Sequence, residues 1–180
     1  MSLTESEYAA LRATIAARGT VRVVTFLVGL LVWAVLAVVL ALFNDLPAAV
    51  VFPLAVLTAG FEAVHALHVG IERIGRYLQV YYEAGRDGPQ WETAAMAVGP
   101  ALPGGGIDPL FTLVFTCAAV LNLIPALLPE PTPIEIGVIG TLHLLFIIRV
   151  VRARGAAARQ RAVELESFRA LRSTHIEPKL

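Results

Sequence analysis

Eight polar residues between positions 58 and 83 are spaced to share one surface: Thr58, Glu62, His65, His68, Glu72, Arg76, Gln79 and Glu83. A helix advances about 100° per residue. With Glu62 at zero, they fall at about −40°, 0°, −60°, −120°, −80°, −40°, −100° and −60°. The whole set lies within an arc of about 120° and nearly follows a heptad seam. Carboxylates and imidazoles on one stripe can relay protons or hold a cation. Glu62, His65 and His68 interrupt an otherwise apolar run, where an acidic or basic group at helix centre costs at least ~2.5–3.5 kcal/mol. The functional reading is an ion or proton path over Thr58, Glu62, His65, His68 and Glu72. The structural reading is a packed seam whose charges are paired internally.

Arg149 is the charge partner expected for Glu62. Counted from the outer ends of their apolar runs, Glu62 lies about 15 residues in and Arg149 about 16, so both reach similar depth. They are expected to meet directly or through His65, a device that fixes register more than it stabilises. Glu62-Ala-Val-His65 also has the Glu-x-x-His spacing of di-metal carboxylate bundles. Only one copy exists and no other span offers a Glu at that depth, so Glu62 and His65 are weak metal candidates and no metal is expected. His143 and His65 lie about 10 and 18 residues from the outer edge. That offset of about 12 Å suits no shared haem. His143 reads instead as a hydrogen-bonded histidine inside the bundle, near Thr141, and Asn122 with Pro125 marks a kink with a polar contact. Four histidines are too few for a histidine-box oxygenase. Gly104-Gly105-Gly106 lacks the Lys-Ser/Thr of a phosphate loop and reads as a hinge, followed by Asp108 as a cap and Pro109 at the first helical position. No nucleophile–base pair or cofactor fingerprint is evident, so neither an enzyme nor a cofactor is expected.

The elements that must position these groups follow from composition. Of 180 residues, 57% are hydrophobic and 16% charged, against roughly 25% charged in a soluble domain. Mean hydropathy is +0.74. So short a chain cannot bury that much apolar surface in water. A soluble enzyme, a disordered tail and a nucleic-acid partner are excluded, and the bilayer is the expected solvent. Apolar runs cover 23–43, 47–70, 109–128 and 134–151, each suited to a membrane helix. None alternates as a barrel strand would. The turns are Asn44-Asp45 to Pro47 and Pro129 to Pro133, where proline ends a helix. The first run is too long for the apolar region of a cleaved leader, and 22 residues precede it.

Formal net charge is zero, with 14 basic and 14 acidic residues. The basic residues all lie on one side of the four-span arrangement, and the two outer turns carry none. The positive-inside rule places both termini and the 71–108 connection in the cytoplasm, in the inner membrane of a prokaryote. The expected organisation is a cytoplasmic amphipathic helix over 1–22, a membrane domain over 23–151 and a cytoplasmic helical tail over 152–180. Thr4-x-x-Glu7 offers a capping box, with Tyr8, Leu11 and Ile15 on one face. The second helix is expected to run about 37 residues, from Pro47 through Ala84, before a turn at Gly85 to Gly88. Gly99 to Gly106 reads as a flexible connector. Gly137, Gly140 and Thr141 offer a small-residue face for close packing. Tyr77, Tyr81, Tyr82 and Trp91 suit an interface, Trp33 has no clear role, and Cys117 reads as a small buried hydrophobe. The arginine-rich tail suits anionic lipid, diluted by its glutamates.

The fold class is therefore all-α, a four-span membrane bundle with helices extended into the cytoplasm. The expected function is a homo-oligomeric ion or proton channel or transporter using the stripe. The alternative is a non-catalytic accessory or assembly subunit of a larger membrane complex, and a metal- or cofactor-binding membrane protein is the weaker one. The expected partners are membrane lipid and either further copies of the chain or a larger complex.

Overall fold

The computed structural model describes residues 3–43, 46–85, 90–98 and 110–176. The Asn44-Asp45 turn, Arg86 to Pro89, the Gly99 to Gly106 connector and the Asp108-Pro109 cap lie outside the described residues, as does the side chain of His175. Helix α1 spans Leu3–Phe43, α2 Val51–Leu78, α3 Trp91–Val98, α4 Thr112–Leu121, α5 Ile124–Leu127 and α6 Pro133–Ile176. A 3₁₀ turn, Pro47–Val50, leads into α2, and a π-helical turn, Gln79–Glu83, continues it. There is no strand among the described residues. Three helices are long and apolar enough to cross a membrane: Thr4–Phe43, Pro47–Glu83 and Pro133–Thr174.

The third apolar run is shorter than expected, and the kink expected at Asn122 and Pro125 is a break. It forms a shorter apolar segment, Thr112–Leu127, in two pieces separated by a turn at Asn122 and Leu123. Pro125 supplies no N–H, and its ring crowds the carbonyl four residues back. The break falls there, and Asn122 turns its amide to neighbouring helices instead. At the other end α1 begins at Leu3, so Thr4 stands inside the first turn rather than at its cap. Glu7 accepts from the Tyr77 hydroxyl at 3.0 Å. A capping box does form at Thr132: its N–H and Oγ1 each reach Glu135 Oε2 at 2.8 Å, and its Oγ1 accepts from the Glu135 N–H at 3.3 Å. With Pro133 as the next residue, this pins the start of α6.

Two compact units divide the chain. The apolar unit comprises Val21–Ala66 and Leu110–Arg154. Phe61 is its centre, edge-on to Phe115 at 5.3 Å and to Phe146 at 6.1 Å. Phe26 stacks on Phe111 at 4.0 Å, and Leu54, Leu57, Val64 and Val150 close the cluster. The outer surface is also apolar, with Leu27, Leu31, Val35, Leu113, Leu144 and Val151 exposed, as suits a lipid-facing surface. Close helix approach occurs at Gly29 and Gly60, where a Cβ added to Gly29 would stand 3.7 Å from the Gly60 Cα. Gly137 and Gly140, expected to make such a contact, face open space within the chain. Thr141 is exposed and bonds the Gly137 carbonyl at 2.7 Å. Cys117 is likewise exposed rather than buried, because α4 turns Phe115, Ala118 and Ala119 inward.

The charged unit comprises residues 1–20, 67–109 and 155–180. Tyr77 stacks on Tyr81 at 4.6 Å, and Phe168 packs edge-on to Tyr77 at 5.9 Å. Tyr8 meets Tyr82 at 5.5 Å. Trp91 is exposed at the start of α3. Ion pairs join its helices: Arg12 to Glu92 at 2.5 Å, Arg73 to Glu164 at 2.8 Å and Arg161 to Glu72 at 2.8 Å.

Candidate functional site

In the apolar unit, Arg149 donates from a terminal nitrogen to Glu62 Oε2 at 2.8 Å. The same nitrogen lies 3.5 Å from His65 Nδ1. The guanidinium carbon stands 5.6 Å from the centre of the Phe61 ring, and His65 packs along that ring at 6.1 Å. Phe61 thus carries both the core and the cation. The pair is not enclosed: the Glu62 side chain is 43% exposed and that of Arg149 40%. His65 Nε2 is buried without a hydrogen-bond partner among the described residues. Thr58 turns its hydroxyl back onto the Leu54 carbonyl at 2.8 Å, as helical threonines commonly do. It contributes no free donor to the pair.

His68 and Glu72 belong to the charged unit, so the stripe is not gathered into one site. His68 is buried. Glu72 is bonded by Arg76, one turn on, and by Arg161. Further along, Glu83 is buried and accepts from the backbone N–H groups of Glu92 and Thr93 at 2.8 and 2.9 Å, and from the Thr93 hydroxyl at 2.8 Å. A carboxylate supplied from the π-helical turn after α2 therefore caps the start of α3, where the unsatisfied N–H groups and the helix dipole favour negative charge. Burial raises the Glu92 pKa, with the Arg12 guanidinium opposing and the Glu83 carboxylate reinforcing that shift.

The secondary polar positions, Asn122 and His143, form a second centre inside the apolar unit. Asn122 Nδ2 donates to the Val50 carbonyl and to His143 Nε2, both at 3.0 Å, while its Oδ1 accepts from Trp33 Nε1 at 3.1 Å. His143 Nδ1 lies 2.8 Å from the Ile139 carbonyl, so Nδ1 carries the proton and Nε2 accepts. Both amide N–H groups and the amide oxygen of Asn122 are matched, and both residues are buried. This neutral arrangement ties α1, the start of α2, the α4–α5 turn and α6 together. It leaves His143 Nε2 no free lone pair for a haem iron. Trp33, ambiguous in the sequence, is the donor that completes it.

Among the described residues no group of three or more His, Cys, Asp or Glu is placed to hold a metal ion. Glu62 and His65 are side by side through Arg149, which occupies the carboxylate a metal would need. Two structural features lie outside the reading of the sequence. The Thr132-x-x-Glu135 box carries an ordinary capping signal and was legible. The Glu83 cap was not, because its partners begin nine residues away across a segment with no periodic pattern. No protein-family model matches the chain, and no curated protein or solved structure matches it either.

Proposed function

We propose that the chain is a non-catalytic subunit of a homo-oligomeric membrane assembly, with four crossings and both termini in the cytoplasm of a prokaryotic cell. The observation that carries this reading is the Glu62–Arg149 pair, close at 2.8 Å yet 43% and 40% exposed within the apolar unit. In a lone chain it would lie half open to hydrocarbon, where charged groups are costly and normally face protein or water. A second copy covers it economically. The patch holds one charge of each sign, so under a two-fold axis Glu62 meets the partner's Arg149 and Arg149 meets the partner's Glu62. Four crossings would put all the basic residues on one side, which supports that count. Helix α4 accounts for about 15 Å at 1.5 Å per residue, and Leu110 and Phe111 before it and the broken stretch through Leu128 after it extend the apolar run.

Light scattering in mild detergent tests the proposal. A mass of two or more 19.3 kDa chains is expected. Glu62→Arg should lower the oligomer order, and the double exchange Glu62→Arg with Arg149→Glu should restore it. A single chain in both detergent and native nanodiscs would overturn the reading, and a stoichiometric foreign subunit would move it to a larger complex. One observation favours a second reading, an ion or proton path in the assembled oligomer: the unpartnered His65 Nε2 beside the pair. Liposome flux compared among wild type, Glu62→Gln and His65→Ala tests this path. Absence of flux for several ions in the wild type removes it.

A further inference from the structure

We infer that the charged unit holds a binding site for a soluble, phosphoryl-bearing small molecule, with Arg169 as its anion-binding residue. The site is a cavity of about 410 Å³ lined by the π-helical turn, the start of α3 and the last turns of α6. That volume falls within the range of small-molecule pockets. Part of its wall is the π-helical turn, and π-helical turns inside α-helices recur at functional sites.

Arg169, Arg172 and Ser173 lie at i, i+3 and i+4 on α6 and all line the cavity. Arg172 holds the wall by donating to the Val80 carbonyl and, at 3.2 Å, to the Ala84 carbonyl. Those are carbonyls that the end of the π-helical turn would otherwise leave unmet. Arg169 is exposed and has no ion-pair partner among the described residues. It can therefore give its planar fork to a phosphoryl group, while the Ser173 hydroxyl turns back onto the Ala170 carbonyl at 2.8 Å. Glu83, in the π-helical turn that supplies one wall, is already met by three donors from α3, which blunts its repulsion of an anion. On the π-helical wall, Gln79 Oε1 is buried with no partner among the described residues. That acceptor calls for an N–H or O–H on the organic part of the ligand.

Position along the second helix separates a soluble ligand from a lipid headgroup. Starting at Pro47, about 20 residues cross the hydrocarbon layer. Gln79 is then about 12 residues further, or about 18 Å, past its edge. The headgroup layer is only about 5–8 Å deep on each side.

The full-length protein in phosphatidylcholine nanodiscs, titrated with inorganic phosphate at constant ionic strength, tests the site by thermal unfolding. Saturable stabilisation is expected that chloride does not reproduce. Arg169→Gln should weaken the apparent affinity about tenfold. Arg159→Gln, an exposed arginine on the same helix outside the cavity, should leave it unchanged. Adding phosphatidylglycerol to the nanodisc should not displace the Arg169-dependent response. No saturable response, or equal loss in Arg159→Gln, overturns the site. Competition by phosphatidylglycerol at Arg169 overturns the soluble ligand and makes the headgroup the source of the anion.

Discussion

The apolar unit contains four basic residues, Arg22, Arg149, Arg152 and Arg154, and four acidic ones, Asp45, Glu62, Glu130 and Glu135. The charged unit contains the other ten of each. Both are formally neutral, but they hold together differently. The apolar unit is centred on aromatic contact, with one amide, Asn122, matching much of its interior polar demand. In the charged unit carboxylates take that part, with Glu83 and Glu72 placed where backbone or guanidinium donors converge. The contrast is the one that lipid and water would each favour. Lipid offers helices no hydrophobic drive to associate, so close packing and a few matched hydrogen bonds must suffice. Water permits ion pairing but screens it, and the pairs of the charged unit are several and mostly part-exposed.

Substitutions can break this contrast, starting with the largest effect. Phe61→Ala removes the ring that Phe115, Phe146 and Arg149 all contact, and should cost about 3–5 kcal/mol of unfolding free energy in detergent. A loss below about 1 kcal/mol would mean that the apolar unit is not held at its aromatic centre. Asn122→Leu keeps the volume but strands Trp33 Nε1, the Val50 carbonyl and His143. A cost of about 2 kcal/mol is expected, with faster hydrogen exchange at the α4–α5 turn. Glu83→Ala should cost about 1–2 kcal/mol and show first as exchange of the Glu92 and Thr93 amides. If exchange instead rose evenly across the chain, the cap would not be local.

The smallest effect is pH-dependent. The Glu92 pKa is raised in the folded chain, so between the unfolded carboxylate value of about 4.3 and that raised value the folded state binds more protons. Stability from this group is therefore fully present below the unfolded value and lost as pH rises through the folded one. Wild type should lose stability across that window relative to Glu92→Gln, and identical pH profiles would remove Glu92 as the source.

Much of the helical layout was legible because hydropathy and helical period are local properties. The 37-residue second helix, counted with its 3₁₀ and π-helical turns, and the extension of α6 through Ser173 both follow from such patterns. Depth counting sets Glu62 and Arg149 at one level, and they stand 2.8 Å apart. The same counting cannot show that the pair opens outward, because depth along a helix says nothing of which neighbour covers it. Gly137, Gly140 and Cys117 depart from expectation for that reason. Small size permits close approach, but only the facing helix decides whether it happens. The third run reads as one membrane-length helix with a kink at Asn122 and Pro125, because nearly every other residue in it is apolar. The backbone breaks where Pro125 removes a donor and Asn122 finds three partners elsewhere.

By itself, the sequence determined the apolar character of the long segments and the helical class, since each is a sum or a period over neighbouring residues. Tertiary structure alone decided that Asn122, His143 and Trp33 form one matched network, that Glu83 caps a helix nine residues on, and that the Glu62–Arg149 pair stands half open. Those outcomes depend on which distant donors and acceptors are brought within about 3 Å, and no local pattern encodes that distance.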